Sequence, residues 1–180
     1  SSANLAAVDP VEPDSVAKVV RLSSVVDTGV ASPGTVIEVP GKIVYDRGTP
    51  WMHTITDAEP HGTQPMSLRD IIVHSSNIGT LLLTDEVGTE RFGAYLESFG
   101  FGQKTALDFP NESAGLFKPA SEWQGTERQS HSYGYGYSVT ALQLAAAVNT
   151  VANGGVYVAP KLVEAVIGAE WVVWGVELGV

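Results

Sequence analysis

The sequence has no cysteine, few basic residues and no long apolar run. Without cysteine there is no disulfide scaffold, no thiol nucleophile and no cysteine-ligated zinc site. Ten lysine and arginine residues against 20 aspartate and glutamate residues give a formal net charge of -10. Such a chain lacks the positive field that binds phosphate backbones or anionic lipid, so we do not expect nucleic acid as a partner.

The sequence also shows no pattern typical of a membrane-spanning or targeting segment. No stretch reaches the ~18 apolar residues that a span needs, and the apolar run 171–180 is short and interrupted by Glu177. Ser1 is not an initiator, and no basic segment precedes an apolar one, so no signal peptide is predicted. We expect a processed chain or a fragment of a longer protein. The 44% of hydrophobic residues in 180 is enough for a single core.

A first helix is predicted directly after Pro13. Asp14 is expected to cap it by accepting the Ala17 N–H, and the helix is expected to end near Gly29. The valines in its body are only fair helix formers, so the apolar face must supply most of the stability of this helix.

Two capping boxes predict later helices. Ser67 precedes Asp70 by three residues, and Thr140 precedes Gln143 by the same interval. Hydrophobic spacing and turn residues predict the remaining elements. These are helices over 78–86 and 89–99, a loop-and-strand excursion over 30–65, mostly loop over 100–136, strands over 156–158 and 161–167, and an unassigned tail over 169–180.

A candidate nucleophile and its base lie at the start of the first predicted helix. Ser15 and Lys18 are three residues apart, which puts both side chains on one helix face. A serine hydroxyl needs a base to remove its proton, and a desolvated lysine with a lowered pKa is such a base. The positive end of the helix favours negative charge developing on Ser15. The alternative is a solvated lysine beside a serine cap, which the tetrapeptide by itself does not exclude.

A Ser-x-Asn pattern, formed by Ser75, Ser76 and Asn77, lies at the break between two predicted helices. A hydroxyl and an amide placed there can project into a cleft, and the alternative is a pair of helix caps. A second copy at residues 2–4 precedes Ser15 and is assigned no role.

The segment 11–18, with the sequence VEPDSVAK, resembles the Glu-Pro-Gly-Ser-x-x-Lys box of class B penicillin-binding proteins, the D,D-transpeptidases that cross-link peptidoglycan. The segment 74–80, HSSNIGT, is similar to the Ser-x-Asn motif of that family. Their joint order with three further similar stretches is more specific than any one motif, and the resemblance covers roughly residues 4–166. Those stretches are 57–62 (DAEPHG), 99–105 (FGFGQKT) and 134–143 (GYGYSVTALQ).

The resemblance implies a serine acyl-transfer mechanism. Ser15 would attack the penultimate D-Ala carbonyl of a stem peptide with Lys18 as base, and the acyl group would pass to an amine of a neighbouring strand. Ser75 would relay a proton to the leaving amine, while Asn77 would orient the substrate amide and Lys18. β-Lactam antibiotics would acylate the same serine, and the resemblance implies neither a metal nor an organic cofactor.

The resemblance also implies a fold, further binding residues and a location. The fold is α+β, of the penicillin-binding protein and serine β-lactamase type, with a helical subdomain and part of an antiparallel sheet, so that residues 1–180 form a partial transpeptidase domain. Ser76, Tyr135 and Tyr137 are assigned to substrate binding. The parent protein is expected to be membrane-anchored, to face the outside of the bacterial cytoplasmic membrane and to be associated with a glycosyltransferase.

Three departures from the family pattern stand out. The family's Lys-Thr/Ser-Gly motif, which grips the substrate carboxylate, is absent from these 180 residues, and Lys104-Thr105-Ala106 occupies a different loop of the family. The isolated chain is therefore expected to be inactive. Asp14 replaces the usual glycine before the nucleophile, and its carboxylate would raise the pKa of Lys18 unless it caps the helix. Tyr135 stands where the family commonly has glutamine.

Two other functions remain open from the sequence. A serine β-lactamase needs an aspartate in the second motif, where this chain has Ser76, and a glutamate that activates water. A non-catalytic scaffold or sensor would bind in the same pocket without turnover. A zinc site is not predicted, because the four histidines are scattered without metal-ligand spacing.

Overall fold

The computed structural model describes residues 4–50, 52–107, 109–124, 127–162, 165–167 and 173–175. Two short 3-10 turns, Asp14–Ala17 and Ala120–Glu122, accompany the helices and strands of these ranges. The helices are α1 Leu5–Val8, α2 Lys18–Asp27, α3 Leu68–Val73, α4 Asn77–Val87, α5 Thr89–Ser98, α6 Glu127–Tyr133 and α7 Ala141–Ala152. The strands are β1 Pro10–Val11, β2 Val36–Val39, β3 Ile43–Tyr45, β4 His53–Ile55, β5 Gln64–Ser67, β6 Val139–Thr140, β7 Ala165–Ile167 and β8 Val173–Gly175.

The strands of the described ranges pair in twos, and all pairs are antiparallel. The pairs are β1 with β6, β2 with β5, β3 with β4 and β7 with β8. In the second pair Val36 lies opposite Ser67, so the end of β5 is fixed where α3 begins. This mixture of helices and small antiparallel sheets confirms the expected α+β class.

Helix α2 lies at the centre of the molecule and packs against α4, α5 and α7. Val20, Leu22 and Val25 of this helix are buried in the main hydrophobic core. Burial of such side chains contributes about 1.5–3 kcal/mol each relative to exposure. The packing therefore supplies the stability that the valine-rich sequence of α2 does not supply through helix propensity.

Helices α3 and α4 meet at a close crossing. A side chain on Gly79 would place its Cβ 2.6 Å from Ile71 Cγ1, so the crossing requires a glycine. Thr80 and Thr84 are buried in α4, and their hydroxyls donate to the carbonyls of Ser76 and Thr80. Because these polar groups are satisfied, α4 can be buried on several sides and hold the turn before it rigidly.

The structure confirms the two capping boxes predicted from the sequence. Ser67 and Asp70 form the predicted capping box, as do Thr140 and Gln143. The predicted cap at Asp14 is wrong, because this residue lies inside the 3-10 turn, which has no side-chain capping hydrogen bond.

The described part of 100–136 is mostly loop, as expected, but it also contains helix α6, which the sequence did not reveal. The strand expected over 156–158 is absent. His131 explains the helix, because its ring packs on Trp123 and Tyr137, a contact that sequence periodicity cannot reveal. Of the strand expected over 161–167, Ala165–Ile167 forms, while residues 163–164 lie outside the described residues.

The region 169–180, left unassigned from the sequence, contains β8 at Val173–Gly175. Its other residues lie outside the described ranges. None of the helices in the described ranges could span a lipid bilayer.

Candidate active site

The amine of Lys18 lies at the meeting point of the two sequence motifs. Its Nζ is 3.1 Å from Ser15 Oγ, 3.0 Å from Ser75 Oγ, 2.6 Å from the Ser75 carbonyl oxygen and 2.7 Å from Asn77 Oδ1. Lys18 is the first residue of α2, and Ser15 lies in the 3-10 turn that leads into this helix. The structure thus brings together Ser15, Lys18, Ser75 and Asn77, although 57 residues separate Lys18 from Ser75.

The neighbours of Lys18 are compatible with a neutral amine whose lone pair faces Ser15. The Ser75 carbonyl and Asn77 Oδ1 carry no hydrogen, so each accepts an N–H from Lys18. A neutral amine has two N–H groups and one lone pair, and these two acceptors use both N–H groups. The lone pair is then left to face the hydroxyls of Ser15 and Ser75. This arrangement lets the neutral amine accept the proton of Ser15.

The pKa of the Lys18 amine is lowered to about 8. Burial is the largest cause, followed by the positive charge of Arg21, whereas the carboxylates of Asp57 and Asp14 act in the opposite direction. Lys18 is 3% exposed, while Ser15 is exposed to solvent. The site therefore combines a shielded amine with a hydroxyl that an incoming molecule can reach.

The glycine-rich loop 134–136 lies directly against the backbone at Asp14. A Cβ on Gly134 would lie 2.8 Å from Asp14 Cα, so the loop can approach this closely because it has no side chain there. The Gly136 N–H donates to Glu12 Oε1 at 3.1 Å. The loop therefore forms one wall beside Ser15, and Tyr135 is exposed on it.

The comparisons with known proteins agree with this geometry. The family model for the penicillin binding protein transpeptidase domain matches residues 1–175. The chain belongs to this family. Penicillin-binding protein PbpB of Mycolicibacterium smegmatis is 40% identical over 161 residues, which are 89% of this chain and 24% of that protein. Peptidoglycan D,D-transpeptidase MrdA of Acinetobacter baumannii is 33% identical over 128 residues, which are 66% of this chain and 19% of that protein.

Solved structures support the same assignment. Penicillin binding protein 3 from Mycobacterium tuberculosis, complexed with aztreonam, superposes on this transpeptidase-family chain with a TM-score of 0.89. The sequence identity is 36%, and the match covers 97% of this chain and 38% of that one. The family and the fold expected from the sequence are thus confirmed, and the chain spans less than a quarter of the length of the two curated relatives named above.

Two residues assigned to substrate binding do not reach the surface of this transpeptidase-family domain. Ser76 is 0% exposed, because its hydroxyl donates to Asp57 Oδ2 at 2.6 Å and accepts the Gly79 N–H at 2.9 Å. Tyr137 is 2% exposed, and its hydroxyl accepts a hydrogen bond from Arg21. We therefore correct both assignments, since neither side chain can touch a substrate in this conformation. Tyr135 is exposed, as a direct contact requires.

Sequence reasoning missed two charged residues that contact the site. Arg21 is fully buried on α2, and it donates to the Asp14 carbonyl at 3.5 Å as well as to Tyr137. Asp57 accepts hydrogen bonds around the Ser-x-Asn turn. The available signals were an arginine between the apolar residues Val20 and Leu22 of α2, and the family-like stretch 57–62. Neither signal shows which groups Arg21 and Asp57 contact.

The backbone at Asp14 explains why the family usually has glycine at this position and how aspartate fits there. Its φ is 49°, in the left-handed region where glycine is favoured and aspartate is tolerated better than most residues. Because Asp14 caps nothing here, its carboxylate acts on Lys18 in the direction expected from the sequence, and burial with Arg21 outweighs it. No group of three or more His, Asp or Glu residues in the described part of the chain could hold a metal ion.

Proposed function

We propose that the protein carrying this chain is a serine D,D-transpeptidase that cross-links peptidoglycan stem peptides through an acyl-enzyme on Ser15. The observation that carries the proposal is the distance of 3.1 Å between Lys18 Nζ and Ser15 Oγ, with Ser75 and Asn77 holding the amine. The name of MrdA, a peptidoglycan D,D-transpeptidase, supports the reaction. Since this relative is much longer than the chain, the activity is proposed for the whole protein.

In the acylation step, the neutral Lys18 amine takes the proton of Ser15 Oγ while this oxygen bonds to the carbonyl carbon of the penultimate D-Ala. The tetrahedral intermediate then breaks its bond to the nitrogen of the terminal D-Ala. That nitrogen receives a proton by way of the Ser75 hydroxyl, and free D-Ala leaves. The products are an ester on Ser15 and one released amino acid.

In the second step, an amine of a neighbouring stem peptide attacks this ester. The amine loses a proton through Lys18, the bond to Ser15 Oγ breaks, and the serine recovers its proton. One amide has then replaced another, without a cofactor or an oxidant. Asn77 holds the Lys18 amine throughout, because its Oδ1 accepts from Nζ at 2.7 Å.

The remaining contacts with substrate are proposed from the family resemblance. A Lys-Thr-Gly or Lys-Ser-Gly segment elsewhere in the protein would grip the substrate carboxylate and complete the oxyanion hole. Tyr135 would line the opposite wall of the cleft, as its exposure allows. β-Lactams would acylate Ser15 as substrate mimics, and the aztreonam complex of the penicillin binding protein 3 relative supports this class of ligand.

We also propose a location and partners for the whole protein. Peptidoglycan is assembled outside the cytoplasm, so the domain would act on the outer face of the bacterial cytoplasmic membrane, held there by an anchor and associated with a glycosyltransferase. Fractionation of cells that express the tagged protein tests the anchor. Recovery of the protein in the soluble cytosol would contradict the proposal.

Mass spectrometry after incubation with a fluorescent penicillin tests the reaction in the protein that carries this chain. We expect a stable adduct on Ser15 that Ser15→Ala abolishes and Ser23→Ala retains. Ser23 is a matched control because it lies on α2 and its hydroxyl donates to the Val19 carbonyl. Rapid release of hydrolysed penicillin would instead indicate a β-lactamase. A folded protein without an adduct would indicate a scaffold or sensor.

A further inference from the structure

The turn at 75–77 has a backbone geometry that needs outside support. Ser75 has a φ of 53°, and a residue with a side chain in this left-handed region costs about 1–2 kcal/mol. Such strain persists where surrounding contacts over-determine the conformation. The carbonyl of Ser75 is one of the acceptors of Lys18, so the same turn that is strained also orients the base.

Asp57 supplies that support from behind the turn. Its Oδ2 accepts from the Ser76 hydroxyl at 2.6 Å, and its Oδ1 accepts from the Ile78 N–H at 3.0 Å. The preceding residue, Thr56, accepts the Asn77 Nδ2–H at 3.1 Å through its carbonyl. This last contact fixes which end of the Asn77 amide faces Lys18.

His61 completes a pair with Asp57. Its Nε2 lies 3.0 Å from Asp57 Oδ2, and its Nδ1 lies 2.6 Å from the Gly62 carbonyl. Both ring nitrogens therefore face acceptors, and an imidazole satisfies two acceptors when both nitrogens carry a proton. The side chains are 13% and 6% exposed, so the pair is well shielded from solvent.

We propose that Asp57 and His61 form an ion pair that fixes the turn at 75–77, so that both are positioning residues for Lys18 and Ser15. The inference rests on the proposed function of Ser15. It assigns a role to the family-like stretch 57–62, which the reaction scheme leaves unused. A side chain on Gly41 would overlap the His61 carbonyl, so the backbone behind the pair is also held closely.

The charges around the pair agree with this assignment. The hydrogen bond to Asp57 raises the pKa of His61 above its ordinary value, and the Gly62 carbonyl adds to this effect. Burial acts to raise the pKa of Asp57, but hydrogen bonds from Ile78, Ser76 and His61 outweigh it and hold that pKa below its usual range. Glu59 and His74 line the same cavity of about 280 Å³, and Lys18 faces Asp57 from the active-site side.

The direction of the pH effect follows from these contacts. Below the raised pKa of His61, the imidazolium donates to both acceptors and the pair is intact. As the pH rises through that pKa, one nitrogen loses its proton and faces an acceptor without a hydrogen. His61→Gln keeps a neutral donor for Asp57, so it removes the charge and its titration with little change of shape.

The test compares acylation rate constants for a fluorescent penicillin from pH 6 to pH 9 in the protein that carries this chain. We expect Asp57→Asn to slow acylation about tenfold to a hundredfold, as misplacement of reacting groups does. The ratio of wild-type to His61→Gln rates should be about fivefold at pH 6 and approach one at pH 9. Glu38→Gln, which changes an exposed carboxylate on β2 outside this cavity, should leave the rates unchanged. A ratio for His61→Gln that does not vary with pH would overturn the ion pair.

Hydrogen–deuterium exchange of the peptide covering 74–80 provides a second readout that needs no reaction. Asp57→Asn should speed exchange in this peptide, with thermal unfolding used to verify that the variant folds. If it does not fold, His61→Gln at pH 6 gives the same comparison. Unchanged exchange and unchanged acylation in a folded variant would refute the positioning role. A wild-type protein without a Ser15 adduct would refute the proposed function separately, and exchange would still decide on the pair.

Discussion

Arg21 lies one helical turn after Lys18, and its buried guanidinium is the first charge, after burial itself, that lowers the pKa of the Lys18 amine. Since only the neutral amine can accept the Ser15 proton, acylation should follow its titration. We expect the acylation rate constant to fall by about tenfold per pH unit below pH 8 and to level off above it. Stopped-flow acylation of the protein that carries this chain with a fluorescent penicillin measures this profile. A flat profile between pH 6 and pH 9 would contradict the assignment of Lys18 as base.

Replacing Arg21 should move this profile to higher pH. Arg21→Gln keeps a donor for Tyr137 and removes the positive charge, so the pKa of Lys18 should rise above 8. Acylation at pH 7 should slow by several-fold, while the rate at pH 10 should approach that of the wild type. Arg69→Gln, which changes an exposed arginine on α3, is the control. Equal slowing at all pH values would show that Arg21 acts through packing alone.

Replacing Asp14 should move the pH profile of acylation in the opposite direction. Asp14→Asn removes a carboxylate that raises the pKa of Lys18, and asparagine also tolerates the left-handed backbone at φ 49°. The profile should move to lower pH. Acylation at pH 7 should increase by up to about fivefold, since the carboxylate of Asp14 is exposed and a charge screened by solvent contributes up to about 1 kcal/mol. The exposed Asp9→Asn variant is the matched control. Slower acylation of the Asp14→Asn variant would argue against this charge effect.

Features written into a few neighbouring residues could be predicted from the sequence. The box of Thr140 and Gln143 is complete within four residues, and the Ser15 and Lys18 pair lies within one helical turn. Each of these depends on local geometry that the spacing determines. The family resemblance then linked the pair of Ser15 and Lys18 to the Ser-x-Asn motif. No local rule could place this motif beside the pair.

Features that depend on long-range packing could not be predicted. Asp57 contacts Ser76 across 19 residues, and the Arg21 side chain contacts Tyr137 across 116. Ser76 is buried and donates to Asp57, a contact that the Ser-x-Asn pattern does not reveal, and so its assignment to substrate binding is corrected here. The close approach of Gly134 to the backbone of Asp14 likewise joins residues that are far apart in the chain.

Gln143 should be important for stability both through the capping box and through hydrogen bonds outside it. Its Nε2 donates to the carbonyls of Gln103 at 2.6 Å and Ala114 at 2.8 Å, and its Oε1 accepts the Thr140 N–H at 2.7 Å. Gln143→Leu would leave these buried groups unpaired, at a cost of about 2–4 kcal/mol in the free energy of unfolding. Urea denaturation measures the loss. The control Gln103→Ala, at an exposed position, should change the free energy of unfolding by no more than about 0.5 kcal/mol. An equally small change for Gln143→Leu would contradict the bridging role of Gln143.

Gly134 should be needed for the geometry of the nucleophile more than for the fold. Its φ is 116°, and an added Cβ would lie 2.8 Å from Asp14 Cα, the residue before Ser15. Gly134→Ala must therefore displace either the loop or the 3-10 turn, and acylation should slow by about tenfold to a hundredfold. Gly154→Ala separates the strain of a positive φ from the steric clash with Asp14. Gly154 also has a positive φ, of 66°, but its Cβ would meet nothing within 4 Å. We expect Gly154→Ala to lower the melting temperature and keep the acylation rate, whereas Gly134→Ala should change the rate. Equal acylation by both variants would mean that the loop can move without disturbing Ser15.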